Sequence, residues 1–395
     1  MASANIYLDN NATTQVAPEV LEAMLPFFKE RYGNASSMYS FGGSVHQDLE
    51  TARERVAGLF NCESTEIIFT SCGSESDNFA VRGLFDAFPE KRHFITTEVE
   101  HPAIKNQVPF LRRKGIRVTV LGVDRKGRLD LDELREAIAA DTLLISCMAA
   151  NNETGVLFPL REIGEIAREH RVLLHTDAVQ VVGKLPLDLR DLPVDLLSFS
   201  GHKLHAPKGI GGLYVRKGLK IRPFIIGGHQ ERSRRAGTEN TPYIVGMGVA
   251  AELAKKNLEE ENTRVRALRD KLEQGILARI PDTEINGDPD NRLPNTSNIG
   301  IHFIEGEALL LALDKHGIAA STGSACASGS LQPSHVLRAM DIPFTSVHGS
   351  IRLSLSIYNT EKEIDRVLEV LPGVVEHLRE ISPFHSMSDV EAFGE

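Results

Sequence analysis

Three short runs place chemically capable side chains just beyond β-rich segments. In "HTDAVQ", Asp177 follows a strand and Gln180 stands one turn further on. In "SFSGHKLHAPKG", a strand ends at Ser200 and the chain turns away through Gly201, His202 and Lys203. In "FTSCGSESDN", Gly73 and Ser74 open a helix after a strand. Ligands of open parallel sheets sit beyond the carboxyl ends of the strands, and the free N–H groups of a helix start suit an anion such as phosphate.

A phosphate cradle, a carboxylate and a lysine at three strand ends together fit pyridoxal phosphate. The lysine would form the Schiff base, the carboxylate would pair with the pyridine nitrogen, and the helix end would neutralise the phosphate. Each piece alone has a plainer reading. Lys203 could be a solvated surface charge, Asp177 a helix cap, and Gly73-Ser74 a turn with a cap. No G-x-x-x-x-G-K or G-x-G-x-x-G run is present, so a nucleotide loop is not indicated. "HKLH" (His202–His205) has metal-like spacing, but Gly201 and Pro207 bound it too closely for the helix such a site needs, and no metal is expected. The combination is what points to the cofactor.

A fourth run, "STGSACASGS" (Ser321–Ser330), surrounds Cys326 with residues too small to pack. That composition suits a thiol that must travel. The other cysteines, Cys62, Cys72 and Cys147, share no C-x-x-C spacing, so neither a disulfide framework nor structural zinc is expected. Cys62 and Cys72 read as structural or incidental, and Cys147 as a small hydrophobe within a strand.

The elements that must carry these groups alternate from about Glu66 to Val215, which predicts βαβ units around a mostly parallel sheet. Seven strands are expected, over 66–70, 93–97, 116–121, 142–149, 171–177, 194–200 and 211–216. A long amphipathic helix follows from about Tyr243 to Ile280. The turn-rich "NGDPDNRLPN" (Asn286–Asn295) reads as the boundary to a C-terminal unit in which short strands and helices restart.

The 395 residues suggest one large domain plus a smaller one. A formal charge of −10 argues against nucleic-acid and anionic-lipid partners. No apolar run is long enough to span a bilayer and the start lacks signal-peptide features, so the cytoplasm is the expected compartment.

The chain resembles the cysteine desulfurases, pyridoxal-phosphate enzymes of the class-V aminotransferase family and of fold type I, most closely the NifS type. The likeness runs through "YLDNNATT", "GNASS", "FTSCGSESDN", "EHPA", "ANNETG", "HTDAVQ", "SGHKLHAPKG", "GGHQERSRRAGTEN", "GSACASGSLQPSHV" and "SIRLSLS", nearly the whole chain. It implies that Lys203 is the Schiff-base lysine and Asp177 the partner of the pyridine nitrogen, with Gln180 on the phenolic oxygen. Ser74, Ser200, His202 and the amides of Gly73 and Ser74 would hold phosphate, joined by Thr238 from the other subunit of a homodimer. His101 would stack on the ring and move protons as a catalytic residue, and Asn152 and Arg352 would hold the substrate carboxylate. Asn152 is also among the cofactor-binding residues implied. Cys326 would be the nucleophile that takes up sulfur as a persulfide. Ser74 stands where many relatives have Thr, and Ala35 where Pro is usual.

The resemblance further implies a large domain over 14–257 and a small α+β domain formed by 1–13 with 258–395, carrying the cysteine loop at about 321–332. The implied activity converts L-cysteine to L-alanine and passes sulfur to an iron–sulfur cluster scaffold of NifU-like or IscU-like kind, nitrogenase assembly among the destinations. Two alternatives stand beside it. One is another fold-type-I enzyme, such as a selenocysteine lyase or an aminotransferase. The other is a cofactor-free scaffold that only relays sulfur.

Overall fold

The computed structural model describes residues 5–323 and 333–384. Cys326 therefore lies outside the described residues. Twelve strands are assigned among them: β1 (Ile6–Tyr7), β2 (Ile67–Thr70), β3 (His93–Thr97), β4 (Arg117–Leu121), β5 (Thr142–Ser146), β6 (Leu173–Asp177), β7 (Leu196–Ser200), β8 (Gly211–Val215), β9 (Thr283–Ile285), β10 (Thr296–Ile301), β11 (Ile318–Ala319) and β12 (Ser350–Ser354).

Seven of these form the central sheet, in the order β2-β8-β7-β6-β5-β3-β4. All neighbours are parallel except that β8 runs antiparallel to both β2 and β7. Strands such as β5, β7 and β8 are buried at every position, because helices cover both faces of the sheet. One face packs into a core with Phe60, Phe199 and Met247, the other into a core with Phe79, Leu84 and Phe94. β5 ends at Ser146, three residues short of the expected Ala149. The chain nevertheless stays tied to β6, since Cys147 and Ala149 donate their N–H groups to the carbonyls of His175 and Asp177, at 3.1 and 2.8 Å.

A third core holds Leu8, Ile299, Leu313, Ile351 and Leu371. It is built on the antiparallel sheet β12-β10-β9, the parallel pair β1-β11 and the final helix Glu361–Glu380. That helix starts in a capping box between Thr360 and Glu363. The turn-rich run Asn286–Asn295 joins β9 to β10 inside this sheet, so it does not separate two units.

The long amphipathic helix is present but is not regular throughout. It runs as Thr241–Glu260, passes through a π turn at Glu261–Val265, and continues as Arg266–Arg279. Before the turn, Ile244, Met247, Ala250 and Ala251 belong to the core of the central sheet. After it, Leu268, Leu272 and Ile276 belong to the third core.

Candidate active site

A cavity of about 280 Å³ opens beyond the carboxyl ends of β5, β6 and β7. Gly73, Ser74, His101, Asn152, Asp177, Gln180, Ser200, His202, Lys203 and Arg352 all line it. Thr238 does not; it is exposed on a separate segment of the chain.

β7 ends at Ser200, and a 3₁₀ turn over Gly201–Lys203 swings the lysine to the cavity. Lys203 Nζ donates to the main-chain carbonyls of Asn11 and Ala12, the latter at 2.7 Å. This N-terminal strap is fixed in turn by Thr14, whose N–H donates to the carbonyl of His202 at 2.9 Å. Behind the turn, Lys184 Nζ donates to the carbonyl of Lys203 at 3.2 Å. The motif "HKLH" gathers no metal set: His202 Nδ1 meets Thr13 Oγ1 at 3.2 Å, whereas His205 Nδ1 meets the carbonyl of Gln15 at 3.0 Å.

Asp177, the last residue of β6, is buried, and its Oδ1 accepts the N–H of Val179 at 2.9 Å. Burial raises its pKa, opposed by the nearby His101 and Lys203. Gln180 donates from Nε2 to the carbonyl of Asn11 at 3.0 Å. Gln180 Oε1 and Ser200 Oγ are buried with no hydrogen-bond partner among the described residues. Orphaned polar atoms of this kind cost about 1–3 kcal/mol each and mark places where a ligand completes the bonding.

The helix Gly73–Ala87 points its N-terminus at the same cavity, and Cys72 at the cap supplies no side-chain bond. Its first N–H groups remain available to an anion. A Cβ on Gly73 would come within 2.8 Å of Val179 Cγ2, so the close approach of helix and strand end requires glycine here. Cys72 itself lines the cavity, a position its sequence surroundings did not signal.

His101 does two things at once. Its Nδ1 accepts the N–H of Ala103 at 3.1 Å, capping the helix Pro102–Lys105, and its ring faces the cavity. Burial lowers its pKa below the usual 6.5, with Asp177 opposing and Lys203 reinforcing. His202 is pushed down to about 4, first by burial and then by Lys203. Both rings are therefore neutral near pH 7.

Arg352 reaches the cavity from β12 and is only 3% exposed. Its Nη2 donates to Asp9 Oδ1 at 2.6 Å and its Nη1 to the main-chain carbonyl of Asn152 at 3.0 Å, while Nε has no partner among the described residues. The buried guanidinium thus already holds one carboxylate and keeps further donor capacity for a second.

Several participants were not picked out from the sequence. Asp9 and Asn11 come from the N-terminal strap, far in sequence from the groups they bind. Asp77 lines the cavity beside Asp177, one turn along the helix from Ser74, and that spacing was a usable signal. Glu100 is fully buried beside His101, with Oε1 accepting from Thr97 Oγ1 and from the N–H of Met148, both at 2.9 Å.

Residues 6–367 match the family model described as aminotransferase class-V. The chain is 58% identical over 379 residues to the cysteine desulfurase of Trichormus azollae, covering 96% of this chain and 95% of that one. It is 56% identical over 384 residues to the cysteine desulfurase NifS of Azotobacter vinelandii, covering 97% and 96%. A solved NifS-like protein superposes with a TM-score of 0.90 at 40% identity, covering 95% of this chain and all of that one.

Proposed function

This chain belongs to the aminotransferase class-V family, and from that premise we propose that it is a pyridoxal-phosphate-dependent cysteine desulfurase. It converts L-cysteine to L-alanine and passes the sulfur, through a persulfide on Cys326, to an acceptor protein of iron–sulfur cluster assembly. The observation that carries the reading is the convergence of Lys203, Asp177, Arg352 and a helix N-terminus on one cavity.

The residues fit the cofactor. The Gly73–Ser74 amides and the orphaned Ser200 hydroxyl would hold the phosphate, with His202 beside them. Asp177 would face the pyridine nitrogen, and Gln180 would turn to the phenolic oxygen. His101 would lie against the ring. Once bound, the cofactor supplies an electron sink that makes the Cα proton of an amino acid removable.

The remaining work falls to side chains. Arg352 takes the substrate carboxylate on donors not used by Asp9 and Asn152, so the amino acid is oriented before any proton moves. Lys203 Nζ withdraws the Cα proton and later returns protons to the carbon skeleton. Neutral His101, with Nδ1 taken by the Ala103 N–H, carries its proton on Nε2, and that N–H can donate to a thiolate in the cavity, which raises the thiolate fraction. The Cys326 thiolate then forms an S–S bond to the substrate sulfur as the C–S bond breaks. The bonding pair stays with the substrate carbon, which is protonated and leaves as alanine. Sulfur leaves Cys326 by attack of an acceptor thiolate on the outer sulfur.

Thr238, exposed and outside its own chain's cavity, is assigned to the phosphate of a partner subunit in a homodimer. No helix among the described residues is long and apolar enough to cross a membrane, and the cytoplasm is the compartment proposed. The test is an assay of alanine and sulfide from L-cysteine in the presence of a thiol reductant. Wild type should form both products and Cys326→Ala neither. Alanine formation by Cys326→Ala would replace the persulfide route with a lyase route. Absence of both products in the wild type would reject the activity.

A further inference from the structure

Asp77 sits where an ionised carboxylate has little support, the hydroxyl of Ser198 being outweighed by burial and by Asp177. It is 1% exposed, its Oδ1 lacks a hydrogen-bond partner among the described residues, and the buried Asp177 carboxyl acts on it. The facing atoms of Asp77, His101 and Asp177 lie within 4.8 Å of one another. The carboxyl groups of Asp77 and Asp177 are close enough to act as donor and acceptor.

On its other side, Asp77 Oδ1 stands 3.6 Å from His175 Nε2. That ring cannot serve as a counter-charge. It is wholly buried, and its two nitrogens are occupied by Ser146 Oγ at 2.8 Å and Ser198 Oγ at 2.9 Å. Burial lowers its pKa to about 3, so it is neutral. The cations of the site, by contrast, lie on the side of Asp177, which feels Lys203 and receives the Val179 N–H. Two like charges cannot share this space, and one proton must stay on the pair. Asp177 has the Lys203 cation and the Val179 N–H; Asp77 has only the weaker hydroxyl of Ser198 to set against them.

We propose that Asp77 is a positioning residue that remains a neutral carboxylic acid and, by donating its proton towards Asp177, keeps that carboxylate ionised and aimed at the ring nitrogen of the cofactor. The proposal rests on the pyridoxal phosphate reading of the site. It also gives the helix Gly73–Ala87 a second task. The first turn supplies the phosphate amides at Gly73 and Ser74, and Asp77 then steadies the opposite end of the same ligand. Both ends of the cofactor would thereby be set by one rigid element.

Infrared spectroscopy of the full-length apo chain reads the proton directly. A carboxylic-acid C=O band that shifts on ¹³C-carboxyl labelling of aspartate, and disappears in Asp77→Asn, is the expected result. The label separates this band from Glu100, whose pKa burial raises to about 8. Titration of the same proteins with pyridoxal phosphate, followed by absorbance, supplies the second readout. Asp77→Asn keeps an N–H donor and should bind within about threefold of wild type, whereas Asp77→Ala should bind at least about tenfold more weakly. No labelled-aspartate acid band in the wild type overturns the proposal, and so does an Asp77→Asn defect as large as that of Asp77→Ala. Failure of the wild type itself to bind overturns the cofactor reading instead, and the infrared result tells the two failures apart.

Discussion

Arg352 is buried and pairs with the half-buried Asp9, and the arginine keeps part of its donor fork unused. A planar fork on a carboxylate is a geometry that lysine cannot reproduce. Arg352→Lys is therefore expected to raise KM for L-cysteine by about tenfold or more, with Asp9→Asn raising it less; steady-state kinetics on both variants checks this. A second prediction concerns acid and base limits. Burial raises Glu100 to about 8 and lowers His175 to about 3. The folded chain keeps a proton on Glu100 that the unfolded chain releases near 4.5, so this group's contribution is lost as pH rises from 4.5 towards 8. The unfolded chain protonates His175 near 6.5 and the folded chain does not, so stability is also lost as pH falls from 6.5 towards 3. Glu100→Gln should gain on wild type between pH 5 and 8, by at most about 1.4 kcal/mol per pH unit, in urea unfolding at a series of pH values. A gain in the opposite direction would contradict a protonated Glu100.

The helix Gly73–Ala87 is the element on which cofactor geometry depends most directly. Gly73→Ala places a methyl group 2.8 Å from Val179 Cγ2, and displacing the helix end should weaken pyridoxal phosphate binding about tenfold in an absorbance titration. Much of this level was legible beforehand. The strands of the central sheet announce themselves because runs such as "TLLIS" and "LLSFS" are apolar or β-branched and are bounded by turns. Lys203, Asp177 and Gln180 were legible for the related reason that each stands at the end of such a run or within three residues of it. β1 and β11, of two residues each, and β9, of three, are too short to carry a period, and their pairing is set by distant chain. Asp9 and Asn11 escaped for the same cause: their partners Arg352 and Lys203 lie hundreds of residues away. The boundary placed at Asn286–Asn295 failed because turn composition marks a change of direction, whether or not the chain changes core.

At the scale of the whole molecule, an apolar region between Leu21 and Phe41 has no cover among the described residues. Phe28 is 52% exposed and Tyr39 61%, with Leu25, Tyr32 and Met38 also in solvent. Such a concentration is unusual on a monomer and suits a second copy. Phe28→Glu is expected to shift sedimentation equilibrium from dimer to monomer and to weaken cofactor binding if Thr238 reaches across; an unchanged mass would place the interface elsewhere. The π turn at Glu261–Val265 carries a different consequence. A π turn holds one residue more than an α turn and advances the helix face by about 100°. It works as a phase shifter, handing a single rod from the core of the central sheet to the core that bears β12. Removing one residue there would leave both halves helical but wrongly clocked. The sheet that carries Arg352 to the cavity therefore leans on a helix whose phase is reset by one added residue nearly ninety positions upstream.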